Sequence, residues 1–189
     1  MPHSVFIKSM VCNRCKLVVS QLFKDFNIFP ADVQLGEVIL DRELTKEEII
    51  AIKPRLEQFG FELIDNNGAK IATKIKSLLI ELIESGTFDL KLKLSGYLSE
   101  KLNYEYHYLS GLFSEVEGIT IEKYFILLKV EKIKELIDYG QHNLSEISHM
   151  LGYSSPAHLT NQFKSIMGIT PSHYKSLNKI DRKPLDELN

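Results

Sequence analysis

Residues 144–175 read LSEISHMLGYSSPAHLTNQFKSIMGITPSHYK and carry the most structural information in this chain. The stretch predicts a short helix, a tight turn at GYSS and a second helix. Ser155 followed by proline suits an N-cap and a first helical position. Leu159, Phe163 and Ile166 recur at helical spacing and predict the buried stripe of the second helix. Such a helix-turn-helix unit can place its second helix in the major groove of DNA.

The same pattern occurs once earlier in the chain. Residues 98–124, LSEKLNYEYHYLSGLFSEVEGITIEKY, align with residues 147–174, and one extra residue in the second copy falls in the predicted turn. An internal repeat of this kind predicts a duplicated structural unit. The matched positions are Leu102 and Leu151, Tyr104 and Tyr153, Leu109 and Leu159, Phe113 and Phe163, Gly118-Ile119-Thr120 and Gly168-Ile169-Thr170, and Tyr124 and Tyr174.

A connecting helix is predicted between the two copies, over residues 120–137. Its length would be about 27 Å at about 1.5 Å per residue, which approaches the roughly 34 Å between successive major-groove faces. One polypeptide could therefore read two adjacent turns of DNA. Residues 155–183 favour phosphate contacts, because five basic residues and one acidic residue give a net charge of +4: Lys164, Lys175, Lys179, Arg182 and Lys183 against Asp181.

The first third of the chain has a different pattern. A strand over residues 3–9, a helix containing Val18, Val19, Leu22, Phe23 and Phe26, and a hairpin around Gly36 are predicted. A capping box at Thr45 and Glu48 begins a second helix, and FELI forms the last strand. The order is βαββαβ. Asn66, Asn67 and Gly68 mark the predicted boundary, which gives domains at residues 1–67 and 68–178 and a tail at residues 179–189.

The second domain resembles the DNA-binding domain of AraC/XylS-type transcriptional regulators. The resemblance rests on YFILLKVEKIKELI and on LSEISHMLGYSSPAHLTNQFKSIMGITPSHYK. It implies an all-α domain with two helix-turn-helix motifs joined by a linker helix. In the second recognition helix, the buried stripe itself leaves five residues available to solvent or to a DNA groove as predicted DNA-binding residues: Ala157, His158, Thr160, Asn161 and Lys164. The base-reading positions that the resemblance implies are His107, Ser110 and Gly111 in the first motif and Ala157, His158 and Asn161 in the second.

Two departures from that family concern the first motif. Gly111 stands where a long polar residue is common, and Lys129 replaces the usual linker arginine. We therefore expect the first motif to read sequence weakly and to rely on backbone contacts. The alternative is a helical bundle that binds only other proteins.

The only two cysteines, Cys12 and Cys15, are predicted in the first loop and at the opening of the first helix. Unpaired N–H groups and the helix dipole favour thiolate there, and Arg14 and Lys16 add positive charge. A two-thiolate site suits Cu(I), whereas zinc or cadmium would usually require four ligands. His3 or the cysteines of a second subunit could complete such a set.

Residues 1–66 resemble a heavy-metal-associated domain, the module of copper chaperones and metal-pumping ATPases. The resemblance rests on SMVCNRC, on the βαββαβ order and on FGFELI. It implies a ferredoxin-like α+β fold, metal binding by Cys12 and Cys15, and a Met10 that packs in the core. Ser9 and Val11 depart from the glycine and threonine of the family loop, which leaves Zn(II) or another soft metal open beside Cu(I).

Composition excludes several classes of protein. At 189 residues and 44% apolar composition the chain can bury a core, and no apolar run approaches the roughly 18 residues of a membrane span. Since neither a membrane span nor a signal sequence is evident, we expect a cytoplasmic location, and since no catalytic motif is evident, we expect a regulator and not an enzyme. Its expected partners are a double-stranded DNA operator, RNA polymerase and a second copy of the chain, with no membrane. A redox switch at Cys12 and Cys15, or a metal chaperone with a helical docking domain, stays open.

Overall fold

The computed structural model describes residues 3–64, 67–85, 93–177 and 185. The chain divides into two compact units, Met1–Leu78 and Leu79–Asn189. Among the described residues, no helix combines the length and the apolar character that crossing a membrane requires.

The N-terminal unit contains a four-stranded antiparallel sheet with strand order β2-β3-β1-β4. The predicted βαββαβ order of elements is found. β1 lies at the centre, where Phe6 is opposite Glu37 of β3 on one side and Ile64 of β4 on the other. The elements are β1 (His3–Lys8), α1 (Asn13–Asp25), β2 (Asp32–Gln34), β3 (Glu37–Leu40), α2 (Lys46–Gln58) and β4 (Glu62–Ile64).

Helices α1 and α2 contact each other, and their apolar stripes supply much of the core of this unit. The capping box at the start of α2 is confirmed: the Glu48 N–H donates to Thr45 Oγ1 at 3.2 Å, and the Thr45 N–H donates to a Glu48 carboxylate oxygen at 2.9 Å. Such reciprocal bonds satisfy two backbone donors at the helix start. The core side chains include Ile7, Val19, Phe23, Val38, Ile52 and Leu56, all fully buried.

A long helix, α3 (Asn67–Ser85), begins where the sequence predicts a boundary. The residues around Gly68 are helical because Ala72, Ile75 and Leu79 recur at helical spacing and are fully buried. The border between the two compact units falls inside this helix, between Leu78 and Leu79, and not at its first residue.

The first part of α3 covers a face of the sheet. Phe6 alternates with the buried Ile7 along β1, so the two side chains point to opposite faces. The Lys74 ammonium lies 5.0 Å from the centroid of the Phe6 ring and forms an ion pair with Glu37 at 3.4 Å. The Ser77 hydroxyl donates to the Leu35 carbonyl at 2.8 Å. Because α3 supplies both contacts, it packs on the Phe6 face.

Every regular secondary-structure element described in the C-terminal unit is a helix, as predicted. α6 contacts α5, α8 and α9 and is buried along much of its length. Its N-cap is Thr120, and its end at Tyr139 agrees closely with the predicted connecting helix. The elements that follow α3 are α4 (Leu94–Leu102), α5 (Tyr106–Glu117), α6 (Ile121–Tyr139), α7 (Leu144–Met150), α8 (Pro156–Met167) and α9 (Pro171–Ser176).

The internal repeat is visible in the packing. The ring centroids of Phe113 and Tyr124 are 5.7 Å apart in the first copy, and those of Phe163 and Tyr174 are 5.8 Å apart in the second. The Gly-Ile-Thr triplets also act alike: each glycine ends a helix with φ near +73°, and each threonine caps the next helix. The duplicated unit that the sequence predicts is therefore a duplicated structure.

The buried part of α6 also contains an ion pair that the sequence analysis did not predict. The Lys134 ammonium donates to a Glu131 carboxylate oxygen at 2.8 Å, with only 2% and 6% of the two residues exposed. Removing either partner of a buried pair leaves an uncompensated charge, which is strongly destabilising. Loss of either side chain alone is therefore expected to destabilise the packing around α6.

Candidate nucleic-acid interface and cysteine site

Helix α8 presents one polar side and one buried side. Its Ser155 hydroxyl accepts a hydrogen bond from the His158 N–H at 3.1 Å, and Pro156 occupies the first turn, as predicted. Leu159 and Phe163 are fully buried. Because a helix turns about 100° per residue, the predicted DNA-binding residues lie opposite that stripe. Ala157, His158, Asn161 and Lys164 are exposed, and Thr160 is half-buried.

Two neighbours orient the imidazole of His158. Its Nδ1 lies 3.1 Å from the Ser154 hydroxyl, and its ring packs edge-on against Tyr153, with centroids 5.3 Å apart. The Tyr153 hydroxyl donates to the Gln162 side-chain oxygen at 2.7 Å. The sequence did not identify Ser154 and Tyr153 as residues that position His158, because the residue type of a turn position does not show which side chain it will contact.

Lys129 of α6 lies beneath the second motif. Its ammonium is 4.8 Å from the centroid of the Tyr153 ring and 5.0 Å from that of Phe125. Burial lowers the pKa of Lys129 to about 8. The two ring faces offset part of the cost of burying this cation, but the lowered pKa shows that burial outweighs them. Lys129 is therefore a packing element of the second motif.

The first motif offers a less favourable surface to DNA. In α5, His107 and Gly111 are exposed and Ser110 is half-buried, opposite the fully buried Leu109 and Phe113. Gly111 carries no side chain with which to reach a base. The sequence of α5 contains no lysine or arginine but does contain two glutamates, which phosphate groups would repel. Weak reading of sequence by this motif stays a prediction, and the missing side chain and the two glutamates are its physical grounds.

The two motifs also differ in one matched pair of tyrosines. Tyr153 is 5% exposed, whereas Tyr104 is 46% exposed and stacks on Tyr108 with centroids 5.3 Å apart. Of the predicted basic patch, Lys164 and Lys175 are exposed. Its other members, Lys179, Arg182 and Lys183, together with Asp181, lie outside the described residues.

Cys12 and Cys15 lie together at the start of α1. Cys12 is the N-cap residue, and the two sulfur atoms are 3.3 Å apart. Burial opposes ionisation of Cys12, but hydrogen bonds to the backbone and thiol of Cys15 and to the backbone of Arg14 outweigh it and lower its pKa. Burial and the neighbouring Cys12 thiol raise the pKa of Cys15. Cys12 is therefore the more acidic thiol of the pair.

The donor set around this pair is small. No group of three or more histidine, cysteine, aspartate or glutamate side chains suited to a metal occurs within the described residues. His3 does not join the cysteines, because it lies at the opposite end of β1 and each strand residue adds about 3.3 Å. Two partly exposed thiols suit Cu(I), which tolerates low coordination, better than a four-coordinate zinc site. Met10 is buried, as predicted for a core residue.

Comparison with known proteins identifies the C-terminal unit. Residues 98–176 match the family model of a helix-turn-helix domain. The chain carries an AraC-type helix-turn-helix DNA-binding domain. The C-terminal domain of AraT, a response regulator from Geobacillus stearothermophilus, shares the fold with a TM-score of 0.52 and 22% identity, over 61% of this chain and 92% of that one.

Two curated relatives extend the comparison of this AraC-type domain. The MmsAB operon regulatory protein of Pseudomonas aeruginosa is 24% identical over 123 residues, which cover 55% of this chain and 39% of the relative. The Msm operon regulatory protein of Streptococcus mutans is 24% identical over 141 residues, which cover 75% of this chain and 48% of the relative. The chain thus spans less than half the length of these two relatives.

Proposed function

We propose that this protein is a sequence-specific transcriptional regulator whose N-terminal Cys-x-x-Cys domain senses a soft metal ion, Cu(I) in the first instance. The exposed polar side of α8, on a duplicated helix-turn-helix scaffold, is the observation that carries the DNA-binding part. The two relatives are named as operon regulators, which supports a role in transcription. A double-stranded operator in the cytoplasm is the proposed target, with RNA polymerase and a second copy of the chain as further partners.

The second motif supplies most of the sequence reading in this proposal. Asn161 has the side-chain amide that bonds adenine in the major groove, and exposed Lys164 suits a phosphate contact. If the Ser154 hydroxyl donates to His158 Nδ1, the neutral imidazole carries its proton on Nε2. Among the described residues, Nε2 has no hydrogen-bond partner. That N–H would be available to an acceptor on a base or a phosphate.

Replacing Asn161 with alanine is expected to relax sequence preference at one base position. The loss should be about 1–3 kcal/mol in discrimination, since one bidentate amide contact disappears. The measurement begins with selection of random-sequence DNA on the full chain. The affinities of wild type and Asn161→Ala are then compared on the selected site and on its single-base variants.

Ser172→Ala is the matched control for this comparison, because Ser172 is an exposed polar residue of α9 and is not among the predicted DNA-binding residues. It should bind every site as the wild type does. An unchanged base preference in Asn161→Ala would remove Asn161 from the interface. Failure of the selection to enrich any sequence would overturn the regulator proposal, and metal binding by such a chain would then favour a metal chaperone with a helical docking domain.

The sensing part of the proposal rests on the chemistry of Cys12 and Cys15. A heavy-metal-associated, ferredoxin-like domain is the proposed class of the N-terminal unit, supported by the strand order and by the position of both thiols at the first helix. When bound, a soft cation would neutralise the charge of the two thiolates. Regulation requires that the ion bind the two DNA-affinity states differently, since equal binding shifts nothing.

The Cys12→Ser/Cys15→Ser double variant should lose its metal response while its folding and metal-free DNA binding persist. The anaerobically reduced chain is titrated with Cu(I), Zn(II) and Cd(II), and affinity for the selected DNA is followed in parallel. Asn13→Ser is the control, because it changes an exposed residue between the cysteines and keeps both thiols. A double variant whose DNA affinity still responds to the metal would refute the assignment.

Oxidation of the same pair is the second candidate signal, favoured by the 3.3 Å sulfur separation and the lowered pKa of Cys12. The thiolate is the reactive form of cysteine. Conversion of two thiols to a disulfide releases two protons and two electrons, and one molecule of peroxide takes these up to form two waters. If peroxide changes the DNA affinity of the metal-free protein and none of the three ions does, oxidation of the cysteine pair is the signal.

A further inference from the structure

The N-terminal unit contains a cavity at the end of β1 that lies away from the cysteines. Its volume is about 240 Å³, and residues from β1, β4, α2 and α3 line it together with the loop before α2. We call it the β1 cavity. Apolar surface comes from Phe6, Leu44, Ile49 and Leu63. Neither the DNA-binding motifs nor the cysteine pair uses this site.

Charged groups surround this apolar surface. Lys53 of α2 and Lys70 of α3 line the β1 cavity from two different helices, and Glu43 lines it from the loop. Among the described residues, neither ammonium forms an ion pair with a carboxylate, and the Lys70 ammonium lies 5.5 Å from the centroid of the Phe6 ring. Among the described lining residues, which also include His3, two lysines and one glutamate contribute a net charge of +1.

We propose that the β1 cavity binds a small organic carboxylate with an apolar body. The single negative charge matches the net charge of the walls, and the apolar body matches the side chains between the lysines. The volume lies below the about 300–1,000 Å³ of sites for drug-sized ligands, so the ligand is a small metabolite. The carboxylate binds between Lys53 and Lys70, while its apolar part packs on Phe6 and Leu44.

The position of Lys70 suggests a consequence for regulation. Lys70 is near the start of α3, and the same helix continues to Ser85, where Leu79, Ile80 and Ile83 are buried. The later part of α3 belongs to the unit that carries the DNA-binding domain. A ligand bound at Lys70 therefore acts on a helix common to both units. This coupling, unlike the site itself, rests on the proposed function.

The test uses the full chain and calorimetric titration with benzoate, phenylacetate, isovalerate and acetate, with benzamide as an uncharged analogue. At least one of the larger carboxylates should bind with a Kd of about 1 mM or below, and acetate and benzamide about tenfold or more weakly. Lys53→Ala/Lys70→Ala should weaken binding about tenfold or more. Lys53→Arg/Lys70→Arg keeps the charges and should retain binding.

Lys24→Ala removes an exposed lysine of α1 outside the β1 cavity and should bind as the wild type does. Equal binding of benzoate and benzamide, or wild-type binding by the double alanine variant, would overturn the site. So would the absence of any carboxylate binding at about 10 mM. If the double alanine variant fails to fold, the site is still tested by the double arginine variant and by the difference in affinity between benzoate and benzamide.

A separate measurement tests the coupling. Affinity for the selected DNA is measured with and without the bound carboxylate, in wild type and in Cys12→Ser/Cys15→Ser. A ligand-dependent shift in both proteins is expected, since the β1 cavity does not involve the thiols. Carboxylate binding without any shift would overturn the coupling alone. A chain that binds the carboxylate but selects no DNA sequence would overturn the proposed function and leave the site in place.

Discussion

Lys129 shows how much the setting of one residue changes its role. In the sequence it replaces the usual linker arginine, and that departure is associated with the first motif. In the structure its ammonium lies over the rings of Phe125 and Tyr153, and burial lowers its pKa to about 8. Lysine changes its pKa when buried more readily than arginine does. The substitution therefore gives the second motif a support whose charge depends on pH.

Stability of the protein should consequently rise as Lys129 loses its proton. In the unfolded chain the pKa of this lysine is about 10.4, so between about pH 8 and that value the unfolded state binds more protons than the native state. The free energy of unfolding therefore increases with pH in this interval. Urea unfolding at pH 7, 8, 9 and 9.5 measures the slope. Relative to Lys129→Met, the wild type should gain about 1–3 kcal/mol across this window, after allowance for its partial exposure.

Lys123→Met is the control for this measurement, because Lys123 is an exposed lysine of the same helix. Its stability difference from the wild type should not change with pH. The reading of Lys129 would be wrong if Lys129→Met and the wild type showed the same pH dependence. Comparison with a variant at each pH also cancels the titration of tyrosines that both proteins share.

The packing of α3 on the sheet depends on Gly36, in the turn between β2 and β3. Gly36 has a φ of +76°, and a Cβ there would lie 2.5 Å from Thr73 Cγ2 and 2.9 Å from Ser77 Oγ. Both neighbours are buried side chains of α3. The turn therefore requires glycine for two reasons, a left-handed backbone and the close approach of a helix.

Gly36→Ala is expected to destabilise the protein by about 2–4 kcal/mol, since it combines left-handed strain with overpacking. Gly60→Ala is the matched control: Gly60 has a φ of +78°, but a Cβ added there would meet no atom within 4 Å. It should lose only about 1–2 kcal/mol. Urea unfolding of both variants isolates the contact with α3, and equal losses would show that α3 does not press on this turn.

Helices α1, α2, α6 and α8 show what could be predicted from the sequence and why. The starts of the last three depend on caps, Thr45, Thr120 and Ser155, whose partners lie three residues away. The buried stripe of α8 follows from a period of 3.6 residues. Residues of the candidate interface, including Asn161, could be placed on one side of the helix for the same reason. Which of them contact a base stays a prediction.

The division of the chain was harder to predict than its helices. Asn66, Asn67 and Gly68 suggested a break, yet α3 begins at Asn67 and continues through the division of the chain by contacts. Turn-forming residues at a helix start give the same local signal as a linker. Only the burial of Ala72, Ile75 and Leu79 distinguishes the two cases, and that burial depends on distant parts of the chain.

Across the chain, charge is distributed unevenly. The formal net charge is −2, and α5 has two glutamates and no lysine or arginine, whereas α8 presents Lys164. We therefore expect the proposed binding to DNA to depend on local charge and on the second motif. Bulk composition favours no nucleic-acid partner, and the repeat and the position of α8 are the features that point to one.

The order of elements, the duplicated motif and the position of both cysteines follow from sequence alone, because caps, turns and periodic stripes depend on near neighbours. The packing of α3, the orientation of His158 and the β1 cavity emerge only on folding. Ser77 and Leu35, for example, are 42 residues apart. Contacts of this kind depend on how packed elements share one volume, which local patterns do not specify.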